Sequence, residues 1–183
     1  FHSSGAAMFK LRYLKAFAAF ALTCGMVLVA TSPDIVAASK EAEAKKAATD
    51  LKTSKDNKVK IAALQKLGEL GLIQYAYVEP AVPDVFKAIK DSDAGVRAAA
   101  AKTLGMIGPD DKETVPQLAG LLKDKDESVQ IAAAEGLAYM GAKAQGAVKD
   151  LQAARKEVKD EKGKLAKTIN NTIKAISGMK KKA

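Results

Sequence analysis

Read along the chain, apolar side chains fall into helical stripes separated by short polar turns, and the stripes recur on a fixed ruler. Val82-Pro83 and Val115-Pro116 lie 33 residues apart, as do Asp91 and Asp124, Val96 and Val129, Leu104 and Leu137, and Gly108 and Gly141. Val148-Lys149 continues the series at the same spacing. An earlier copy, Lys46 to Gly71, matches after a shift of 37, placing Val59, Leu67 and Gly71 opposite Val96, Leu104 and Gly108. The four extra residues fall after Gly71, in the stretch LIQYAYVEPA. A last copy runs from Val148 to about Ser177 with a lengthened middle, KEVKDEKGK, and with Leu165, Ile173 and Ile176 in the apolar places. Self-similarity at a period of this length marks a repeat architecture.

Each unit reads as two helices. In the first, Val82, Val85, Phe86 and Ile89 keep the three-and-four spacing of an apolar stripe, and Pro83 sits in the opening turn, where its missing N–H costs nothing. The turns Asp-Ser-Asp-Ala-Gly and Asp-Lys-Asp-Glu-Ser then supply caps for the next helix. In that helix Val96, Ala99, Ala100, Leu104 and Ile107 form the buried face, and Gly108 closes it with a left-handed turn. The alanine runs Ala98 to Ala101 and Ala132 to Ala134 let neighbouring helices approach closely. A helix pair that cannot bury both faces alone stacks on its neighbours, so the expected fold is an all-α solenoid.

The Asp that ends the first helix, followed after a short turn by Val-Arg and an Ala-rich helix ending in Leu-Gly-x-Ile-Gly, resembles the HEAT-repeat family. The matching residues are Asp91, Val96, Arg97 and Leu104-Gly105-Met106-Ile107-Gly108; similar short repeats occur in phycobilisome lyases. The resemblance spans roughly residues 41–177. It implies a right-handed α-solenoid of about four HEAT-like helix pairs, at about 41–71, 79–108, 113–141 and 146–177, with a short basic tail at 178–183. It also implies that the second helices line the inner face, which would set Lys60, Arg97, Lys102, Gln130 and Glu135 along it. In that family Asp and Arg tend to form a ladder between successive units. Only the second unit carries both, so the bridge expected is Asp91–Arg97; the third has Asp124 with Gln130, and the first has Lys60 with Ser54 in place of the Asp. Fold is specified in this way, and activity is left open.

Ahead of the repeats the pattern changes. Phe1 to Ala7 precede a Met and look like the end of an expression tag. Met8 to Ala38 has the layout of a secretory signal: basic Lys10, Arg12 and Lys15, an uncharged apolar run from Ala16 to Ala30, and Val36-Ala37-Ala38 ahead of Ser39. The apolar run is short of the ~20 residues that a membrane span needs, so cleavage is preferred to a retained anchor. Lipid attachment at Cys24 is disfavoured, because Ala21-Leu22-Thr23 is a poor lipobox and the apolar run continues past the Cys. The expected organisation is therefore a tag remnant at 1–7, a signal at 8–38 and a repeat domain at 39–183, periplasmic or secreted, without a stable membrane span after cleavage.

The formal charge of +9 for the whole chain becomes about +7 once the leader is removed. Cys24 and His2 are the only residues of their types and both precede Ser39. The mature chain thus has no Ser-His-Asp or Cys-His nucleophilic site and none of the usual zinc ligand sets. Glycines stand at repeat spacing rather than in a phosphate loop. The acidic stretches Asp124-Lys125-Asp126-Glu127 and Asp110-Asp111 read as caps and solvated turns, so no catalytic residue, metal or cofactor is expected.

What remains is binding. Tyr75 and Tyr77 lie in the insertion, where they either contact a partner or cover the junction of the first two repeats. Lys60, Arg97 and Lys102 are the candidate contacts on the second helices, against a solvated polar face as the alternative. A protein partner is preferred. Nucleic-acid binding through the basic surface is weakened by having only Arg97 and Arg155 after the leader, few aromatics, and an export signal. A lyase-type enzyme is the other alternative, by family analogy alone.

Overall fold

The computed structural model describes residues 33–179 of the chain. Two units are distinguished: residues 1–42, of which only the opening of the first helix is described, and residues 43–183, which hold the repeats. The expected tag and most of the expected signal lie outside the described residues, as does the tail from Lys180. Residues 33–38, the end of the expected signal, are helical here.

The described residues form no strand. Eight α-helices follow one another: α1 (Pro33–Thr53), α2 (Asn57–Ile73), α3 (Val82–Ala88), α4 (Ala94–Ile107), α5 (Asp111–Leu121), α6 (Glu127–Met140), α7 (Val148–Glu157) and α8 (Lys164–Gly178). Short 3-10 turns cover Tyr75–Tyr77, Glu79–Ala81 and Gly141–Ala147. The even-numbered helices pack in series, α2 on α4, α4 on α6 and α6 on α8, while α3, α5 and α7 each lie on the even helix that follows. This is the all-α solenoid of helix pairs that the ruler implies. No helix among the described residues is long and apolar enough to cross a membrane.

The helix starts follow from the Asp residues in the turns. Asp56, Asp93, Asp110 and Asp126 each cap the helix that follows, accepting a backbone N–H from Lys58, Val96, Lys112 and Ser128 at 2.8–3.0 Å. Each bond satisfies one of the N–H groups that a helix start leaves without a partner. Gly108 closes α4 in the left-handed region, with φ +53°. Pro83 stands in the first turn of α3. Its counterpart does not behave alike: Pro116 lies inside α5, because the Asp110 cap starts that helix at Asp111. In the neighbouring units the corresponding stretch is a 3-10 turn instead, at Glu79–Ala81 and Gly141–Ala147.

The core is aliphatic. Leu67, Leu104 and Leu137, one per repeat at the same register, are fully buried, together with Val96 and Val129. Val59 departs from that register and is exposed, and Ala99 is only half-buried, with Ala101 taking its place in the interior. Glycine adds to the close approach that the alanine runs allow, where Ala100, Ala101, Ala133 and Ala134 are fully buried. A Cβ on Gly105 would stand 2.3 Å from the Cα of Gly136, and one on Gly136 would stand 2.7 Å from the carbonyl oxygen of Ala101. The backbones of α4 and α6 are therefore in direct contact.

Candidate functional site

The fourth residue of α2 and of α4 reaches the turn that closes the next odd helix, and this geometry builds the charged contacts of the stack. Arg97 on α4 is buried, and its Nε and Nη2 donate to the two carboxylate oxygens of Asp124, both at 2.9 Å. Its Nη1 donates to the main-chain carbonyls of Asp91 and Ser92 at 3.0 and 2.9 Å. One guanidinium thus ties the turn of its own repeat to the turn of the next. Lys60 on α2 makes the preceding rung, its Nζ donating to Asp91 at 2.9 Å.

This corrects the expected Asp91–Arg97 bridge. Arg97 does reach Asp91, but only its carbonyl; the carboxylate partner is Asp124, because the side chain points forward along the stack. Lys60 does stand at the Arg position of its repeat, as the alignment has it, but its acidic partner, like that of Arg97, comes from the next repeat and not from its own. A signal was present: Lys60 and Asp91 are 31 residues apart and Arg97 and Asp124 are 27 apart, and the difference is the four-residue insertion after Gly71.

The electrostatics of the two rungs differ. The bidentate hydrogen bonds from Arg97 are the main cause holding the Asp124 carboxyl below its ordinary value, aided by the Asp126 N–H. Asp91 is lowered first by the N–H of Asp93, at 3.0 Å, and only then by Lys60. The second rung therefore depends on its cation more than the first does.

The insertion forms the second candidate surface. It extends α2 to Ile73 and then folds through the two 3-10 turns. Leu72, Ile73 and Tyr75 are 57%, 63% and 40% exposed, the densest run of exposed large apolar side chains in the repeats. Tyr77 is half-buried and packs against the core. The two tyrosines therefore differ, Tyr75 being exposed and Tyr77 half-buried against the core. Leu72 and Ile73 were not singled out from sequence, although both belong to the same four-residue excess.

Lys102 on α4 pairs with Glu135 on α6 at 3.1 Å, beside the exposed Tyr139. No hydrogen bond or ion pair joins Tyr75 or Tyr77 to Lys60, Arg97 or Lys102, so these residues do not form one constellation. The acidic stretches serve as the sequence suggests, with Asp110 and Asp126 as caps. Among the described residues no group of three or more His, Cys, Asp or Glu is arranged to hold a metal.

Comparison with protein families matches residues 44–138 to a model of HEAT repeats. None of the curated proteins matches the chain.

Proposed function

The chain belongs to the HEAT-repeat family, and from that premise we propose that it is a non-catalytic scaffold, exported from the cytoplasm, that binds another protein through the edge formed by the insertion. HEAT repeats commonly serve as protein-interaction scaffolds, and stacked repeats offer long, firm surfaces for the purpose. The observation that carries the reading is the run Leu72, Ile73 and Tyr75, exposed on a helix end whose inner face is fully packed. Apolar side chains in such a run cost solubility unless a partner covers them, and an exposed Tyr offers a large contact area with a polar tip.

Export rests on the three-part layout of Met8 to Ala38. The protein recovered from its native host should have an intact mass that begins at or near Ser39, and a full-length membrane-bound form would remove this part of the proposal. Binding is tested by changing Ile73 and Tyr75 together to Ser. The partner captured from the envelope fraction by the wild-type protein should be lost, with helical signal and melting temperature nearly unchanged. Truncated interface anchors typically cost more than ~1 kcal/mol, roughly fivefold or more in affinity. Unchanged capture would sink the assignment of this edge, and steep salt dependence of whatever is captured would favour nucleic acid instead.

A further inference from the structure

Charge is balanced along most of the repeats and then is not. Residues 39–162 hold 21 basic and 20 acidic side chains, whereas residues 163–183 hold six lysines and no acid. The excess positive charge after the expected leader therefore falls almost wholly on α8 and the few residues that follow it.

Three of the six lysines share one side of α8. Lys164, Lys167 and Lys174 are spaced by three and by seven, which lines them up over about 15 Å of helix, and all three are exposed. None of them has an ion pair or a side-chain hydrogen bond among the described residues. The acids on the neighbouring elements have cations of their own. On α6, Glu135 is held by Lys102, and Glu127 lines a cleft with Lys123 and Lys125. On α7, Asp150 and Glu157 stand with Lys149, Arg155 and Lys156, and the turn before α8 reads Lys159-Asp160-Glu161-Lys162. The lysines of α8 are left as surplus.

The opposite side of the helix is committed to the core through Leu165, Ala166, Ile169 and Ile176, all buried. α8 cannot offer that side to another surface without leaving the stack, so whatever its lysine side meets is held by charge. We infer that this side of α8 rests on the surface of an anionic lipid bilayer. Residues 163–183 contain no Arg and no aromatic. They therefore lack both the anchors that protein interfaces favour and the rings on which nucleic-acid bases stack. Exposed Asn170 and Asn171 complete the face, which presents charge without a shaped pocket and so matches a plane of mobile headgroups. Each lysine held near such a surface is worth roughly fivefold in partitioning. This contact lies on a different helix from the insertion edge and does not depend on it.

The test is lysine footprinting. The full chain is treated with an amine-reactive acetylating reagent at low salt, alone and with vesicles of phosphatidylcholine with or without phosphatidylglycerol, and each lysine is followed by mass spectrometry. Labelling of Lys164, Lys167 and Lys174 should slow severalfold on the anionic vesicles only, while Lys55, Lys90 and Lys123 keep their rates, and added salt should restore the lost labelling. Changing the three α8 lysines together to Gln should lower the phosphatidylglycerol-dependent part of vesicle binding by roughly fivefold per lysine. The same change at Lys55, Lys90 and Lys123, which alters the net charge equally, should leave it nearly intact. Protection that is equal at both sets of lysines, that appears on phosphatidylcholine alone, or that resists salt overturns the proposal, as does equal loss of binding in the two variants. Stronger protection of α8 by a DNA duplex or by polyglutamate than by the anionic vesicles would reassign the face to nucleic acid or to an acidic protein.

Discussion

The junction of α4 with α6 and the junction of α6 with α8 share one topology and are closed by different means. At the first, Arg97 spans two turns to reach Asp124, and Gly105 meets Gly136 backbone to backbone. At the second, the Thr172 hydroxyl donates to the carbonyl of Ala134 at 3.1 Å and the Gln145 amide donates to the carbonyl of Ile176 at 2.6 Å. Among the described residues no ion pair crosses there, and a cleft lined by Gln130 and Glu157 remains. Where Arg or Lys holds this register, as at Arg97 and Lys60, the closing charge comes from within, and where Gln130 holds it no such charge is supplied. The insertion after Gly71 leaves the Lys60–Asp91 rung in place and instead exposes Leu72, Ile73 and Tyr75.

The largest effect should come from the guanidinium. Arg97→Ala leaves Asp124 enclosed beside the buried face without its partner and should cost ~3–5 kcal/mol, whereas Gln130→Ala, which removes a hydrogen bond at the slack junction, should cost only about 1 kcal/mol in a denaturant melt. Similar costs for the two would erase the distinction between the junctions.

Next in size is the glycine contact. Gly136→Ala drives a methyl group into the carbonyl of Ala101, a backbone atom that cannot swing away, and should destabilise by ~1–3 kcal/mol. Gly120→Ala, on α5 with open space around it, should be neutral or gain up to ~1 kcal/mol through helix propensity.

Acid should loosen the rungs. Because Asp91 and Asp124 have lowered carboxyl values in the folded chain, their stabilisation is present above the ordinary Asp value of ~3.9 and is lost as the pH falls through the lowered folded values. Denaturant midpoints taken from pH 6 downward should therefore drop below about pH 4. Arg97→Ala should blunt that drop more than Lys60→Met does, since Asp91 leans first on the Asp93 N–H. Equal blunting would mean that the two rungs are alike.

The smallest expected effect is a gain. The Thr114 hydroxyl is fully buried and has no hydrogen-bond partner, in a register where the adjacent units have Ala81 and Ala147. Thr114→Val should stabilise by ~1 kcal/mol by removing the unsatisfied group while keeping the shape. A loss would show that the hydroxyl has a partner in solution.

The ruler carried most of the fold into view, because a period is set by many residues at once. Leu104 and Leu137 landed at equivalent buried places, and the Asp turns became caps. Where a single residue sets the outcome, the period said less. Val59 matches Val96 in sequence, yet it is exposed. Pro116 matches Pro83, yet the Asp110 cap draws the helix past it. The direction of the Arg97 side chain depends on how far one helix is offset from the next, and spacing within a single unit does not contain that distance. Tyr77 and Tyr75 are two residues apart in a 3-10 turn, and only the turn's seat on the core sends one inward and the other out.

The central claim is that this solenoid binds where its ruler is broken. It is tested most directly by placing a photo-crosslinking residue, one at a time, at Ile73, Tyr75 and Lys159 near the two breaks, and at Lys87 and Lys149 on regular surface, in the native host. Adducts with a common partner should form at the first three positions and not at the last two. Adducts of equal yield at all five, or only at Lys87 and Lys149, would contradict it.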